Sequence, residues 1–447
     1  MIITYKTIRW AALLLAILML CTACSTKGND EESTTPPVES GAEETTDAVT
    51  EAPKEMLTIA EKSKTEFGVI LPDEANGAYL SLFSSFLRAF KEKYGALIVS
   101  TSDLMSQIRP SAPGTKEIIL GNTVKAETAE LNAMLSSAGG NRFGILVTDC
   151  KIIINGTSAY QCYLALDYFF SQFTSVDANG DPMASVESGF AYISADTEDH
   201  RYTIEELLGS GREIAFAATE KVLRFQTKNG ASTPQGGCTD GTYVYVGMMG
   251  SADGQDYGVV VKYDLSSGAL LGYSEKLPLF HNNDLTYDAK HHRLVVATLD
   301  EGWKKISFVD PDTLQYIGDT LAPVGIRGIE YLPESNTYVA ASHNVEIMIL
   351  DENFNKISSH ICADTTLMTQ GLYSDGKYVY DPRFLDGKST HLVVVEDMAG
   401  KLLSSAQLYG LANTEPEHMF ALDGQLYIGC NHSGWLYAVE VVPQNWW

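Results

Sequence analysis

Five stretches in the second half of this 447-residue chain repeat one another, beginning near Gln235, Asn283, Arg327, Gln370 and Glu417. The steps between them are 48, 44, 43 and 47 residues. Each stretch reads as short strands separated by turns. A unit of that length cannot bury both faces of its own sheet and needs a neighbour on each side. A closed ring of such units is a β-propeller, and five copies predict five blades. Closure carries equivalent positions to one axis, so the five residues that open the repeats are expected to converge. All five are polar, and the repeat therefore predicts a polar mouth at the centre of one face.

The first repeat sets the pattern. Gln235-Gly236-Gly237-Cys238-Thr239-Asp240 is the inner strand, followed by strands at 243–246, 258–263 and 268–276. A turn opening on Asp264 joins the last two, and equivalent turns open on Asp310, Asp351 and Asp397. The fifth repeat has strands at 419–422, 426–429 and 435–442 and lacks a fourth. Val222–Gln226, just ahead of the first repeat, is expected to supply it. Joining two distant parts of the chain in one blade closes the ring and removes exposed sheet edges.

The mouth is then lined by Gln235, Asn283 with Asp284 and nearby His281, Arg327, Gln370, and Glu417 with His418. Loops between second and third strands return to the same face and add Asp300 with Glu301, His343, Arg383, and Asn431 with His432. Polar residues at strand starts also bond neighbouring backbone and axial water. As a set, they predict a ligand-facing mouth. Arg327 and Arg383 suit a carboxylate or phosphate on the ligand, held by forked hydrogen bonds. Tyr257, Trp303, Phe384 and Trp435 near loop ends offer faces for sugar rings or for packing between blades.

Ahead of the repeats, strands and helices alternate. Phe67–Leu71, Ala96–Ser100, Glu117–Thr123, Phe143–Thr148 and Lys151–Asn155 read as strands. A helix with Tyr79, Phe83, Phe86, Leu87, Phe90 and Tyr94 on one stripe ends at Gly95, and a second helix covers about 126–135. A third runs from about Ser158 to Phe173, with Tyr160, Leu164, Tyr168 and Phe169 expected to face inward. The fold class is multidomain: a small α/β layer domain over 57–215, then an all-β five-bladed propeller over 216–447.

Residues 1–24 read as an export signal, with Lys6 and Arg9 ahead of an apolar core at 11–20. Cys21-Thr22-Ala23-Cys24 follows and resembles the lipobox of bacterial lipoproteins, with Cys24 the candidate for lipidation. Residues 25–56 are rich in Thr, Glu, Ser and Pro and read as an extended acidic tether. These features place the folded part outside the cytoplasm, lipid-anchored at a bacterial cell surface. The net charge of −26 repels phosphate backbones and argues against nucleic acid as a partner. Nothing calls for a cofactor or a metal, since the nine His are scattered and the cysteines form no CxxC beyond the signal. Cys238 and Cys430 fall in the first and last blades, where a disulfide is one option and separate burial the other.

Two resemblances add to this reading. The Glu117–Thr123 strand, the Phe143–Ile154 hairpin and Asn155-Gly156-Thr157-Ser158-Ala159-Tyr160 resemble the non-catalytic N-terminal domain of α-glucuronidases and family-20 hexosaminidases. That likeness implies no catalytic residue, because in those enzymes a barrel does the chemistry. Gln235-Gly236-Gly237, His281-Asn282-Asn283-Asp284-Leu285-Thr286-Tyr287, Gln370-Gly371 and Glu415-Pro416-Glu417 resemble the five-bladed propellers of the teichoic-acid-biosynthesis protein C and phage receptor-binding type. That family implies binding to cell-wall or surface glycans.

The leading expectation is a tethered protein that binds a polysaccharide or glycopolymer, with a glycan or cell-wall polymer as partner and the membrane reached through the lipid. A carbohydrate-active enzyme is the alternative, with Asp284, Glu417 and His418 as candidate catalytic groups and Glu301 in reserve. Arabinanase-like hydrolases draw acids from their first three blades, and Gln235 and Arg327 break that pattern here. A protein-interaction scaffold or adhesin is the third reading.

Overall fold

Four aspartates fold the outer hairpin of four repeats in the same way. Each carboxylate accepts backbone N–H groups two to four residues on: Asp264 from Ser266 and Ser267, Asp310 from Asp312 and Thr313. Asp351 does so with Asn353 and Asn355, and Asp397 with Ala399 and Lys401. This Asx geometry stands in for a backbone turn and sets the register of the strands on either side. These are the four turns the repeat predicts.

The chain is described from a computed structural model covering residues 55–298, 304–342, 346–362, 364, 367–384, 391–411 and 414–447. The export signal, Cys24 and all but the last residues of the tether lie outside the described residues, as do Asp300, Glu301, Trp303 and His343.

The protein is mostly β, and its second half is a series of antiparallel sheets arranged as in a propeller. The first holds Thr233–Thr239, Tyr243–Ala252, Gln255–Asp264 and Ala269–Tyr273 in that order. The second and third, Asp284–Leu321 and Ile326–Ile361, repeat that four-stranded order. The fourth runs from two short inner pieces through Tyr378–Phe384 and His391–Asp397 to Leu402–Tyr409. The fifth holds Pro416–Leu422, Gln425–Cys430 and Trp435–Pro443, and its fourth strand is Ile214–Arg224, paired antiparallel with Trp435–Pro443. The donated strand is longer than the sequence suggests. Its first residues continue into a parallel pairing with the fourth sheet (Ala215↔Gln407, Phe216↔Leu408, Ala217↔Tyr409), which fuses the last two sheets into one.

Strand alternation sends the two faces of a sheet into different cores. Val244, Val246 and Met248 pack with Leu223, Phe420 and Leu436 of the fifth sheet. Tyr245, between them, packs with Leu285, Leu294 and Val296 of the second. Cys238 and Cys430 are free thiols in separate apolar clusters, so the disulfide option is not taken up.

Residues 55–193 form a six-stranded mixed sheet with helices on both faces and a small three-stranded sheet beside it. The sheet order is Val99–Ser102, Gly68–Leu71, Glu117–Leu120, Lys151–Gly156, Phe143–Val147 and Ala191–Ile193; the first four strands are parallel. Helix α1, Gly77–Tyr94, starts at Asn76, whose side chain accepts from Ala78 N and Tyr79 N, and stops at Gly95 with φ 66°. Helices α2, Asp103–Ile108, and α3, Ala126–Ala138, follow. Helix α4, Ala159–Gln172, buries Cys162, Ala165, Leu166, Phe169 and Phe170, and Tyr160, Leu164 and Tyr168 sit at the border of that face. The expected stripe is thus rotated. Small side chains are needed where α4 crosses strand Lys151–Gly156, since a Cβ on Gly156 would stand 2.5 Å from the Gln161 carbonyl carbon.

Lys54–Trp447 is one compact unit, and its largest apolar cluster shows why. Leu82, Phe86, Phe90 and Phe169 share that cluster with Ala215, Ala217 and Val442 of the propeller strands and with Trp446 beyond the last of them. Helix α1 holds the segment after the last strand by polar contacts as well. Ser81 Oγ donates to Pro443 O at 3.0 Å, Ser85 Oγ to Gln444 O at 3.0 Å, and Trp446 Nε1 to Ser81 Oγ at 3.2 Å. Packing therefore runs across the residue-215 boundary that the sequence suggests.

Candidate functional site

The residue after each repeat-opening polar group contacts the next sheet in the ring. These residues are Gly236, Asp284, Gly328, Gly371 and His418. A Cβ on Gly236 would lie 2.6 Å from Leu285 N of the second sheet. Asp284 Oδ2 accepts from Ile329 N of the third at 2.9 Å. A Cβ on Gly328 would lie 2.7 Å from Leu372 Cβ, and one on Gly371 within 3.1 Å of His418 Cα. His418 Nδ1 lies 2.5 Å from Gln235 O, back in the first sheet. The contact visits five inner strands before returning to its start.

Around these contacts the polar side chains knit into one network. Asn283 Nδ2 donates to Arg327 O at 2.6 Å and Gln370 O at 2.8 Å. Asp284 also accepts from Leu285 N at 2.9 Å and Leu372 N at 3.1 Å, so its carboxylate is filled by three backbone donors from three sheets. Arg327 Nη1 donates to Thr369 O at 3.3 Å, and Gln370 Nε2 to Glu415 Oε1. Asn431 Nδ2 bridges Glu415 Oε2 at 2.6 Å and Glu417 Oε1 at 2.5 Å.

Gln235, Asn283, Asp284, Gln370, Glu417 and His418 are buried, whereas His281, Arg327, Glu415 and Asn431 are partly exposed. The hub is a hydrogen-bonded polar floor under a smaller polar rim. Burial pushes Asp284, Glu417 and Glu330 above the ordinary carboxylate range, opposed at Asp284 by the three backbone donors that bond its charged form; Glu415 and Asp284 add to the effect on Glu417. Burial draws His281 down, and Arg327 adds to this while Asp256 opposes it.

Arg383 is not on the rim. It is fully buried in the fourth sheet, with Nη2 2.6 Å from Asp381 Oδ2, Nε 2.9 Å from the same oxygen, and Nη1 on the Asp364 carbonyl. Its guanidinium is engaged and does not face a ligand. Asp381 in turn accepts from Thr369 Oγ1 at 3.2 Å, so the pair braces the short strand Met368–Thr369, next to Gln370. Phe384 stacks on His391, and Trp435 lies under Lys221 and Arg224.

His418 is a wedge between the first and last sheets. A Cβ on Gly237 would come within 2.8 Å of its Cε1, and one on Gly429 within 2.9 Å of its Nδ1. A carbonyl only accepts, so Nδ1 carries the proton it donates to Gln235 O. Nε2 is buried with no partner. Protonating it would bury a charged donor with nothing to bond, and the imidazole is pushed down to about 4. The folded state therefore takes up this proton later than the unfolded state does. His418 adds its full stability above about pH 6.5, and roughly 2 kcal/mol of it is gone by pH 5. Because the buried carboxylates shift stability the opposite way, the difference between wild type and His418→Gln isolates the term. That difference should shrink as pH falls from 7.5 to 5, and the wild-type imidazole should show no NMR titration above pH 5. A midpoint near 6.5 would contradict this assignment.

No protein-family model and no curated protein matches the chain. Solved structures similar to it include Myxococcus xanthus glutaminyl cyclase, with TM-score 0.39 and 14% identity over 52% of this chain and 98% of that one. Kuenenia stuttgartiensis hydrazine synthase follows, with TM-score 0.31 and 16% identity over 46% of this chain and 57% of that one. The β-propeller domain of Myceliophteria thermophila Cps50 (Swd1) has TM-score 0.29 and 13% identity over 47% and 67%. At these scores the likenesses carry no argument about function.

Proposed function

We propose that the protein is an extracytoplasmic, lipid-anchored binder of a polysaccharide or glycopolymer, built as a five-bladed propeller with an α/β accessory domain and taking its ligand on the hub face. One observation supports this most: Arg327, His281, Glu415 and Asn431 form a partly exposed polar rim on a floor already fixed by its own hydrogen bonds. A pre-fixed floor loses little freedom when a ligand arrives, and the mixed donors and acceptors of the rim suit sugar hydroxyls. Arg327 is the group for a carboxylate or phosphate on the polymer. The Asp284 carboxylate is filled by backbone donors and His418 is a buried neutral wedge, which favours recognition over proton transfer.

Retention on immobilised bacterial surface glycans tests the reading. An Arg327→Ala/Asn431→Ala variant with an unchanged melting curve should lose about tenfold or more in affinity. Equal retention of variant and wild type would remove the hub as the binding face.

A further inference from the structure

Four parallel strands of the mixed sheet end on one side, and the chain reverses its direction of travel across two of them. Gly68–Leu71 leads to Val99–Ser102 on one flank, and the chain then crosses to Glu117–Leu120 on the other. Loops that leave neighbouring strands in opposite senses open a crevice at the carboxyl ends. A cavity of about 760 Å³ lies there, walled by the loops after those three strands and by Thr219 of the strand shared with the propeller.

Asp103 fixes the shape of that crevice. It is 4% exposed, and its two oxygens accept from Asp73 N at 2.8 Å and Val124 N at 2.9 Å, tying the two splayed loops together. A second cavity, of about 250 Å³, shares Asn76, Tyr79 and Thr219 with the first. The two make one groove along the seam between the mixed sheet and the propeller strands. The second cavity is walled by Tyr160 and Tyr202, whose rings lie 6.3 Å apart, and by Asp199, Arg201 and Glu440.

We propose that this groove is a saccharide-binding site separate from the hub, taking a short neutral or amine-bearing oligosaccharide. Tyr79, Tyr160 and Tyr202 supply flat apolar faces with polar edges, which is what a sugar ring needs on one side. Asn76, Asn122 and the carboxylates supply hydroxyl partners. Asp73, Glu74, Asp199 and Glu440 outweigh Arg201 and His200, so the groove repels polyanions and favours ammonium groups. Burial, opposed by Arg201 and reinforced by Asp199, pushes the Glu440 carboxyl up.

Titration calorimetry on the full chain tests the site with three probes: the glucosamine trisaccharide, cellotriose and trigalacturonate. The glucosamine trimer or cellotriose should bind and trigalacturonate should not compete. Tyr160→Ala and the exposed Asp199→Asn should each raise Kd about tenfold, with Arg327→Ala leaving it unchanged. Failure of both non-acidic trimers to bind overturns the proposal, as does binding that Asp199→Asn leaves intact or that Arg327→Ala abolishes. The hub reading can fail in its own assay without affecting this one.

Discussion

Alanine at Gly236 or Gly371 will destabilise the protein by about 3 kcal/mol each, lowering the melting temperature by about 4 °C. The reason is what the new methyl group meets. At Gly236 it would stand 2.6 Å from the backbone nitrogen of Leu285 and from the Asp284 carbonyl carbon. At Gly371 it would press on the Glu417 carbonyl oxygen and lie 3.1 Å from His418 Cα. Both obstacles are inner-strand backbone of the next sheet, which cannot rotate aside as a side chain does. Relief requires two sheets to separate at the hub, and a closed ring passes that displacement to every other interface. Gly209 is the control, because a Cβ there meets nothing within 4 Å, and its alanine variant should melt like the wild type or slightly higher. If all three variants melt together, the hub is not closely packed and the ring argument fails with it.

These glycines also show how much the sequence conveys. Repeat spacing, the four turn aspartates and the missing outer strand are local or periodic signals, and the sheets follow them closely. Periodicity also marks Gln235, Asn283, Arg327, Gln370 and Glu417 as neighbours, and Asn283 reaches the carbonyls of both Arg327 and Gln370. What periodicity lacks is depth. It cannot tell a residue that opens to solvent from one that fills the axis, so Gln235 and Glu417 read as mouth and sit as floor. Arg383 carried a usable signal: Asp381 lies two residues earlier on the same strand face, and that spacing in a strand brings opposite charges together. The seam had no local signal. Trp446 joins helix α1 across more than 350 residues of chain, and the groove draws on loops scattered from Asp73 to Glu440. Only the folded chain brings them together. The six-residue α2 has no sequence signal, because one and a half turns carry too little periodicity to register.

Asp284→Ala should be the most damaging single change at the hub, costing about 4 kcal/mol or more. Its carboxylate accepts from Leu285 N, Ile329 N and Leu372 N, which belong to the second, third and fourth sheets. Removing it leaves three buried backbone donors with no acceptor, each costing about 1–3 kcal/mol, and opens a void on the axis. Asp284→Asn keeps one acceptor oxygen but turns an amide donor toward backbone N–H groups, so it should recover only part of the loss. Hydrogen exchange separates this clamp from a general loss of packing. In the asparagine variant, Ile329 and Leu372 amides should exchange faster, while those of Ile118 and Ile152, in the distant mixed sheet, keep their protection. The clamp also bears on function. Ile329 and Leu372 lie two residues from Arg327 and Gln370, so loosening it moves rim and floor together, and glycan retention should weaken in the asparagine variant with Arg327 itself unchanged. Wild-type melting and exchange in Asp284→Ala would mean that the five inner strands hold their places without this carboxylate.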